Sequence, residues 1–272
     1  MPCVEPFFRC LLLASALAAS PSRDPSPRPP PERSTPDGLA LLREMQEGLG
    51  GAEKIAAIHD LEETIRAEAR DSRGSSLGAV RKRTRWIQDP ATLRLDQIGP
   101  RGTYVLYLDG RSGSGWEILP DVQGPDVYKT NGAAVDLAGG ELEFARGYLS
   151  GFELNLWLAD RRGYTVTSPR PNVLRIEHDG SSTDLTLDPK TKLPVEEGGV
   201  SLADPDHPAP EETRYTDWKE IAGVRFPIRK VKSISGVNRG ETMTETIRVN
   251  TGLRPQDLAA QPADFAPDIP PR

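Results

Sequence analysis

The residues most able to do chemistry are three histidines, each beside an acid: His59-Asp60, His178-Asp179 and the run Asp204-Pro205-Asp206-His207. A general base needs its orienting acid on the same side of the backbone, yet neighbours in an extended chain point to opposite faces. The first two pairs are therefore read as turn or surface residues. Two carboxylates and one imidazole set among prolines, without a second cluster, fall short of a metal set, and Asp204 to His207 is read as a solvated turn. No His-Glu-x-x-His is present, and both cysteines, Cys3 and Cys10, lie within the first ten residues. The glycine run DGRSGSG at 109–115 lacks both the GxGxxG spacing and a following helix, which excludes a phosphate cradle. Glu141 and Glu143 fit the negative charge favoured at a helix N-terminus. The expectation is a protein with no catalytic residue, no metal ligand and no cofactor.

Aromatic and aliphatic surface is the more prominent feature. Trp86, Tyr104, Trp116, Trp157 and Trp218 all fall on predicted strands or on one predicted helix. A curved sheet of this size must fill its interior with large side chains or with a guest. The candidates for lining such a cavity are Trp86, Leu93, Leu95, Tyr104, Leu106, Trp116, Leu149, Phe152, Leu156, Trp157 and Phe226.

The elements that would position them are legible from periodicity. Leu39, Leu42, Met45 and Leu49 make one helical stripe, with Asp37 available as the cap and Gly50-Gly51 at its end. AEKIAAI predicts a second short helix. From Leu61 the period becomes two, and TIRAEAR, AVRKRTRWI, ATLRLDQI, TYVLYLDG and GWEILP read as strands joined by hairpins. In ATLRLDQI, Leu93 and Leu95 face one way while Arg94 and Asp96 face the other, as in a sheet with one wet side. TYVLYL is apolar on both faces and predicts a covered strand. ELEFARGYLSGFELNLWLADRR interrupts the pattern, placing Leu142, Ala145, Leu149, Phe152 and Leu156 on one helical stripe that should break or bend near Gly151. Strands then resume and include the hairpin RYTDWKEIAGVRFPIRK, with Gly223 at the reversal. The predicted class is α+β, mainly antiparallel β: a curved half-open barrel of about ten strands, with an N-terminal helix and an inserted helix against its concave side.

The bulk numbers agree with that class. The chain has 272 residues, of which 36% are hydrophobic and 27% charged, with a formal net charge of -6. Mild acidity argues against a nucleic-acid binder, which needs a basic face. The basic run at 81–85 alternates, with Arg81, Arg83 and Arg85 on one side, and is read as a solvated strand face. Residues 1–19 combine Arg9, a short apolar run and small residues at Ala16 and Ala18, the pattern of a secretory signal peptide, and the run is too short to span a bilayer. Residues 20–36 are a disordered Pro-rich tether by composition, residues 37–258 the folded domain, and 259–272 a Pro-rich tail. The expected location is the periplasm or outside the cell, with no transmembrane segment after signal removal.

Four stretches, "MQEGLGGAEKIAAI", "GTYVLYLDGRSGSGWEILPD", "LDPKTKLPV" and "YTDWKEIAGVRFP", resemble the periplasmic lipoprotein-carrier superfamily, the Lol-type carriers and their lipoprotein-sorting-like relatives. The segment "LAGGELEFARGYLSGFELNLWLADR" is similar to a mostly acidobacterial branch of it. The resemblance spans most of residues 38–258 and rests on turn and strand signatures. It implies a half-open antiparallel barrel around an apolar cavity closed by helices, and a lipid or lipoprotein acyl chain as the partner. It also leaves open a cell-envelope sensor or interaction module that has a packed core and docks a protein partner.

Overall fold

A computed structural model describes residues 33–99, 102–118, 120–122, 128–130, 134–178, 181–201 and 209–261. The expected signal peptide, most of the tether and tail, and Asp204 to His207 lie outside the described residues. Helix α1 (Pro36–Leu49) starts the domain, followed by α2 (Ala52–Ala56). The cap of α1 is Thr35, two residues earlier than Asp37: its Oγ1 accepts from the Gly38 N–H at 3.1 Å, and Pro36 occupies the first turn, where no donor is needed.

Five strands follow, β1 (Asp60–Arg70), β2 (Ser76–Ile87), β3 (Thr92–Gly99), β4 (Gly102–Asp109) and β5 (Ser114–Ile118). A small ribbon, β6 (Pro120–Val122) with β7 (Tyr128–Thr130), and the two-residue β8 (Val135–Asp136) lead into the insertion. The insertion is α3 (Gly139–Ser150), α4 (Glu153–Trp157) and α5 (Ala159–Arg162). The second half runs β9 (Thr165–Arg170), β10 (Val173–His178), β11 (Ser181–Leu187), β12 (Pro194–Ser201), β13 (Ala209–Ile221), β14 (Val224–Ile234) and β15 (Val237–Val249), ending in α6 (Pro255–Ala259).

Among the described residues thirteen strands form one antiparallel sheet, in the order β8-β5-β4-β3-β2-β1-β15-β14-β13-β12-β11-β10-β9. The predicted number was about ten. The strands read from alternation are present, and of the thirteen only the two-residue Val135–Asp136 is too short to carry a periodicity of its own. β8 and β9 are the two free edges, so the curved sheet stays open. The long β15 closes back on β1, pairing Leu61 with Val249 through Ala69 with Gly240 and joining the two halves of the chain.

One face of the sheet, the inner one, carries α1 to α5. A single core cluster joins Leu42, Met45 and Leu49 of α1, Leu149, Leu154 and Leu156 of the insertion, and sheet residues from Trp86 to Phe226. The β13–β14 hairpin reverses at Ala222 and Gly223, φ 52° and 78°, the double positive pair that matches strand twist. Gly50, φ 123°, comes so close to this turn that a Cβ there would lie 2.1 Å from the Gly223 carbonyl oxygen.

The outer face is not the wet one the alternation predicts. Arg94 and Asp96 are buried, 3% and 0% exposed, because the chain end doubles back over β3 and β4 with Leu258 of α6 fully buried. Asp96 accepts from Arg85 at 2.6 Å and from Arg94 at 3.0 Å, and Arg94 donates on to the Leu258 carbonyl at 3.2 Å. The solvated face expected for the basic run therefore ends at Arg85. Arg81 and Arg83 are partly exposed and paired with Glu245 at 2.7 Å and Glu62 at 2.6 Å.

Gly50→Ala should destabilise the domain by about 3 kcal/mol, from backbone strain plus overpacking against Gly223. Denaturant unfolding of the variant checks this. A loss below about 0.5 kcal/mol would contradict the close approach of α1 to the hairpin.

Candidate functional site

The inner face is built in rows. Pairing sets Leu61, Trp86 and Leu93 side by side, then Glu63, Thr84 and Leu95, then Ile65, Lys82 and Gln97. Strand alternation thus turns an apolar row into a polar one within two steps. Farther round the sheet the same inner face carries Thr244, Lys230, Tyr215, Glu197 and Thr183. The interior is apolar where α1, α4 and α5 pack, and has a polar belt beyond.

The insertion covers this face. Its helix ends at Ser150, and Phe152 is extended at φ -61°, ψ 136° before α4 begins. The predicted break near Gly151 is therefore present, sealed locally by Asn155 Nδ2 donating to the Leu149 carbonyl at 2.7 Å. From this break Phe152 lies over Trp86, ring centroids 5.5 Å apart and planes at 25°. Trp157 of α4 meets Phe226 of β14 at 5.6 Å.

Of the eleven predicted lining residues, Trp86, Leu93, Leu95, Tyr104, Leu106, Leu149, Leu156, Trp157 and Phe226 are buried in one cluster, and Phe152 packs against it half-buried. Trp116 is placed elsewhere. It pairs with Tyr107, which alternates away from Tyr104 and Leu106, so it points to the outer face and joins Val105 and Ile118 beneath Arg94. The counting of aromatics in the sequence carries no signal for that choice of face. The inner faces of Trp86 and its neighbours meet side chains of the insertion.

Polar contacts fasten the insertion. Lys82 Nζ donates to the Tyr148 hydroxyl at 3.3 Å, Tyr164 to the Ser150 carbonyl at 3.1 Å, and Gln46 of α1 to the Trp157 carbonyl at 2.9 Å. Glu153, the first residue of α4, forms an ion pair with Lys230, and Tyr215 donates to Glu197 beside it. Burial, the larger influence, pushes the Glu153 carboxyl up against the pull of Lys230, and Glu63 adds to the push. Burial opposes the charge of Lys230, but Glu153, Glu63 and Glu197 together hold its pKa above the usual lysine value. Burial, with Glu197 and Glu153, pushes the Tyr215 hydroxyl well above the usual tyrosine value.

His178 is buried, against the expectation of a surface residue. Its Nδ1 lies 3.0 Å from Ser150 Oγ, and Ser150 in turn donates to the Gly147 carbonyl at 3.2 Å. The serine hydroxyl thus has both the imidazole and a backbone carbonyl as hydrogen-bond partners. His59 is exposed. The stretch Gly74-Ser75-Ser76-Leu77-Gly78 has the spacing of a nucleophile elbow, but it opens β2 rather than a helix. Among the described residues no three His, Cys, Asp or Glu side chains gather as metal ligands. An open cleft of about 600 Å³ between His59, Gln88 and Leu253 lies at the strand ends, and none of the eleven lining candidates borders it. Its Asp60 carboxylate already accepts from Thr251, Gly252 and Leu253.

No protein-family model and no curated protein matches the chain in sequence. Solved structures do match in shape. A LolA superfamily protein from Nitrosomonas europaea is 12% identical, with 82% of this chain and 97% of that one covered and a TM-score of 0.53. A DUF1329 family protein from Desulfovibrio piger is 12% identical over 81% of this chain and 96% of that one, at 0.51. A putative outer membrane lipoprotein-sorting protein domain from Vibrio parahaemolyticus is 14% identical over 82% and 96%, at 0.48. The chain has the Lol-type fold, and among the described residues no helix is long and apolar enough to cross a membrane.

The raised Glu153 carboxyl sets a pH dependence. The folded chain holds this proton more tightly than the unfolded chain, so the contribution is full below about pH 4.5 and is lost as pH rises through the raised folded value. Relative to wild type, Glu153→Gln should therefore gain melting temperature steadily from pH 4.5 upward. A difference that does not change with pH would contradict this assignment.

Proposed function

We propose that the protein shelters the acyl chain of a lipid or lipoprotein on the inner face of its sheet, beneath the α3–α4 insertion, in the periplasm or outside the cell. No enzymatic step is assigned to it. The observation that carries the reading is the stack of Phe152 on Trp86. The side chain that covers the centre of the apolar face comes from the break between two helices, where a rotation of few backbone angles would lift it away. The Lol-type fold supports the same reading, since a solved structure of that shape is a LolA superfamily protein. Energetically the exchange is feasible. Each buried methylene contributes about 0.8 kcal/mol, so a long chain outweighs the contacts it displaces.

A second reading, an envelope interaction module with a permanently packed core, is favoured by the contact of Trp86 and its neighbours with the insertion. The two readings differ at Phe152. In the first, the stack holds the cover shut by about 0.5–1.5 kcal/mol beyond its area. Phe152→Ala should then speed uptake of an environment-sensitive fluorescent lipid by about 3- to 10-fold. In the second, the wild type takes up no such lipid, and Phe152→Ala costs about 3–5 kcal/mol of stability. Stopped-flow binding and denaturant unfolding of the same two proteins decide between them.

A further inference from the structure

Trp86 is 0% exposed, and its indole Nε1–H has no hydrogen-bond acceptor among the described residues. Its flanking partners on the sheet are Leu61 and Leu93, and Phe152 covers its face. A buried donor without a partner is costly, and in a binding site such a group marks where a ligand atom completes it.

Resting on the lipid-sheltering reading, we infer that Trp86 Nε1 donates to the carbonyl oxygen at the root of an acyl chain joined through an ester or amide, and that the site selects such chains over free fatty acids. The position fits. Trp86 stands in the row Leu61–Trp86–Leu93–Leu108, and the next row on the inner face, Glu63–Thr84–Leu95–Leu106, is polar on β1 and β2 and apolar on β3 and β4. A chain lying on Leu93, Leu95 and Leu106 would bring its first carbon to Trp86, beside the polar pair Glu63 and Thr84. The selection follows from charge. A neutral carbonyl needs one donor, which Trp86 supplies, whereas a carboxylate would enter a site that offers a neutral N–H with the Glu63 side chain one row away. Glu63 is engaged by the Thr244 hydroxyl at 2.9 Å, which holds it in place on that row.

The test uses the full chain with three probes of equal length: a long-chain methyl ester labelled with ¹³C at its carbonyl, the matching methyl ether and the free fatty acid at neutral pH. Wild type should bind the ester about tenfold more tightly than the ether, about 1.4 kcal/mol, and the acid more weakly than the ester. The infrared carbonyl band should move to lower frequency on binding. Trp86→Phe should bind ester and ether alike and leave the band in its apolar position. If that variant does not fold, ¹⁵N-indole spectra of the wild type replace it. One of the four tryptophan N–H signals should shift downfield with the ester and not with the ether. Equal affinities for ester and ether in the wild type, or an ester preference that survives Trp86→Phe, overturns the carbonyl contact while leaving lipid sheltering intact. Failure of all three probes to bind overturns both.

Discussion

The inner face of a long sheet that curls without closing has to be covered by something other than the sheet itself. Among the described residues thirteen strands leave both edges free, and the apolar rows from Trp86 to Phe226 would meet water but for the helices laid across them. The first helix is fixed to backbone, close enough at Gly50 to leave no room for a methyl group. The insertion is held through its side chains: Leu149, Leu154 and Leu156 in the same core, ring contacts, and single polar fastenings such as Lys82 to Tyr148 and Glu153 to Lys230. The polar fastenings each contribute about 1 kcal/mol net, and on the proposed reading this is the half of the cover that yields. The account of function rests on that difference.

Apolar packing and the polar belt do different work under the insertion. The rings of Phe152 and Trp157 bury area against Trp86 and Phe226. In the belt, Glu153 at the start of α4 meets the lysine of β14 with two further acids nearby, and burial pushes its carboxyl up. Trp86 sits where the two regimes meet, with an apolar ring and an N–H whose partner is absent among the described residues.

Much of this was legible in the sequence, and the failures have physical causes. Alternation located every long strand, and the spacing from Leu142 to Leu156 located the insertion together with its break, because both periods depend only on which side chains must be buried. The Val135–Asp136 strand is two residues long and has no period to read. Arg94 and Asp96 looked solvated because alternation reports polarity, whereas their burial depends on a chain end returning from more than 160 residues away to place Leu258 over them. The same limit governed the candidate site. Ten of the eleven lining candidates gather in or against one cluster, while Trp116 lies on the opposite face: its strand alternates Trp116 and Ile118 against Glu117, and alternation does not say which side of a sheet covered on both is the inner one. His178 was read locally against Asp179, yet its partner is Ser150 of the insertion.

Hydrogen–deuterium exchange across residues 139–162, with and without a long-chain acyl ester, tests the central claim most directly. If the insertion is a cover that lifts, its amides exchange faster than those of β1 to β4 in the empty protein, and adding the ester changes their protection while the sheet stays as it was. If those amides exchange only with global unfolding and are indifferent to the ester, the insertion is fixed core and the sheltering account is contradicted.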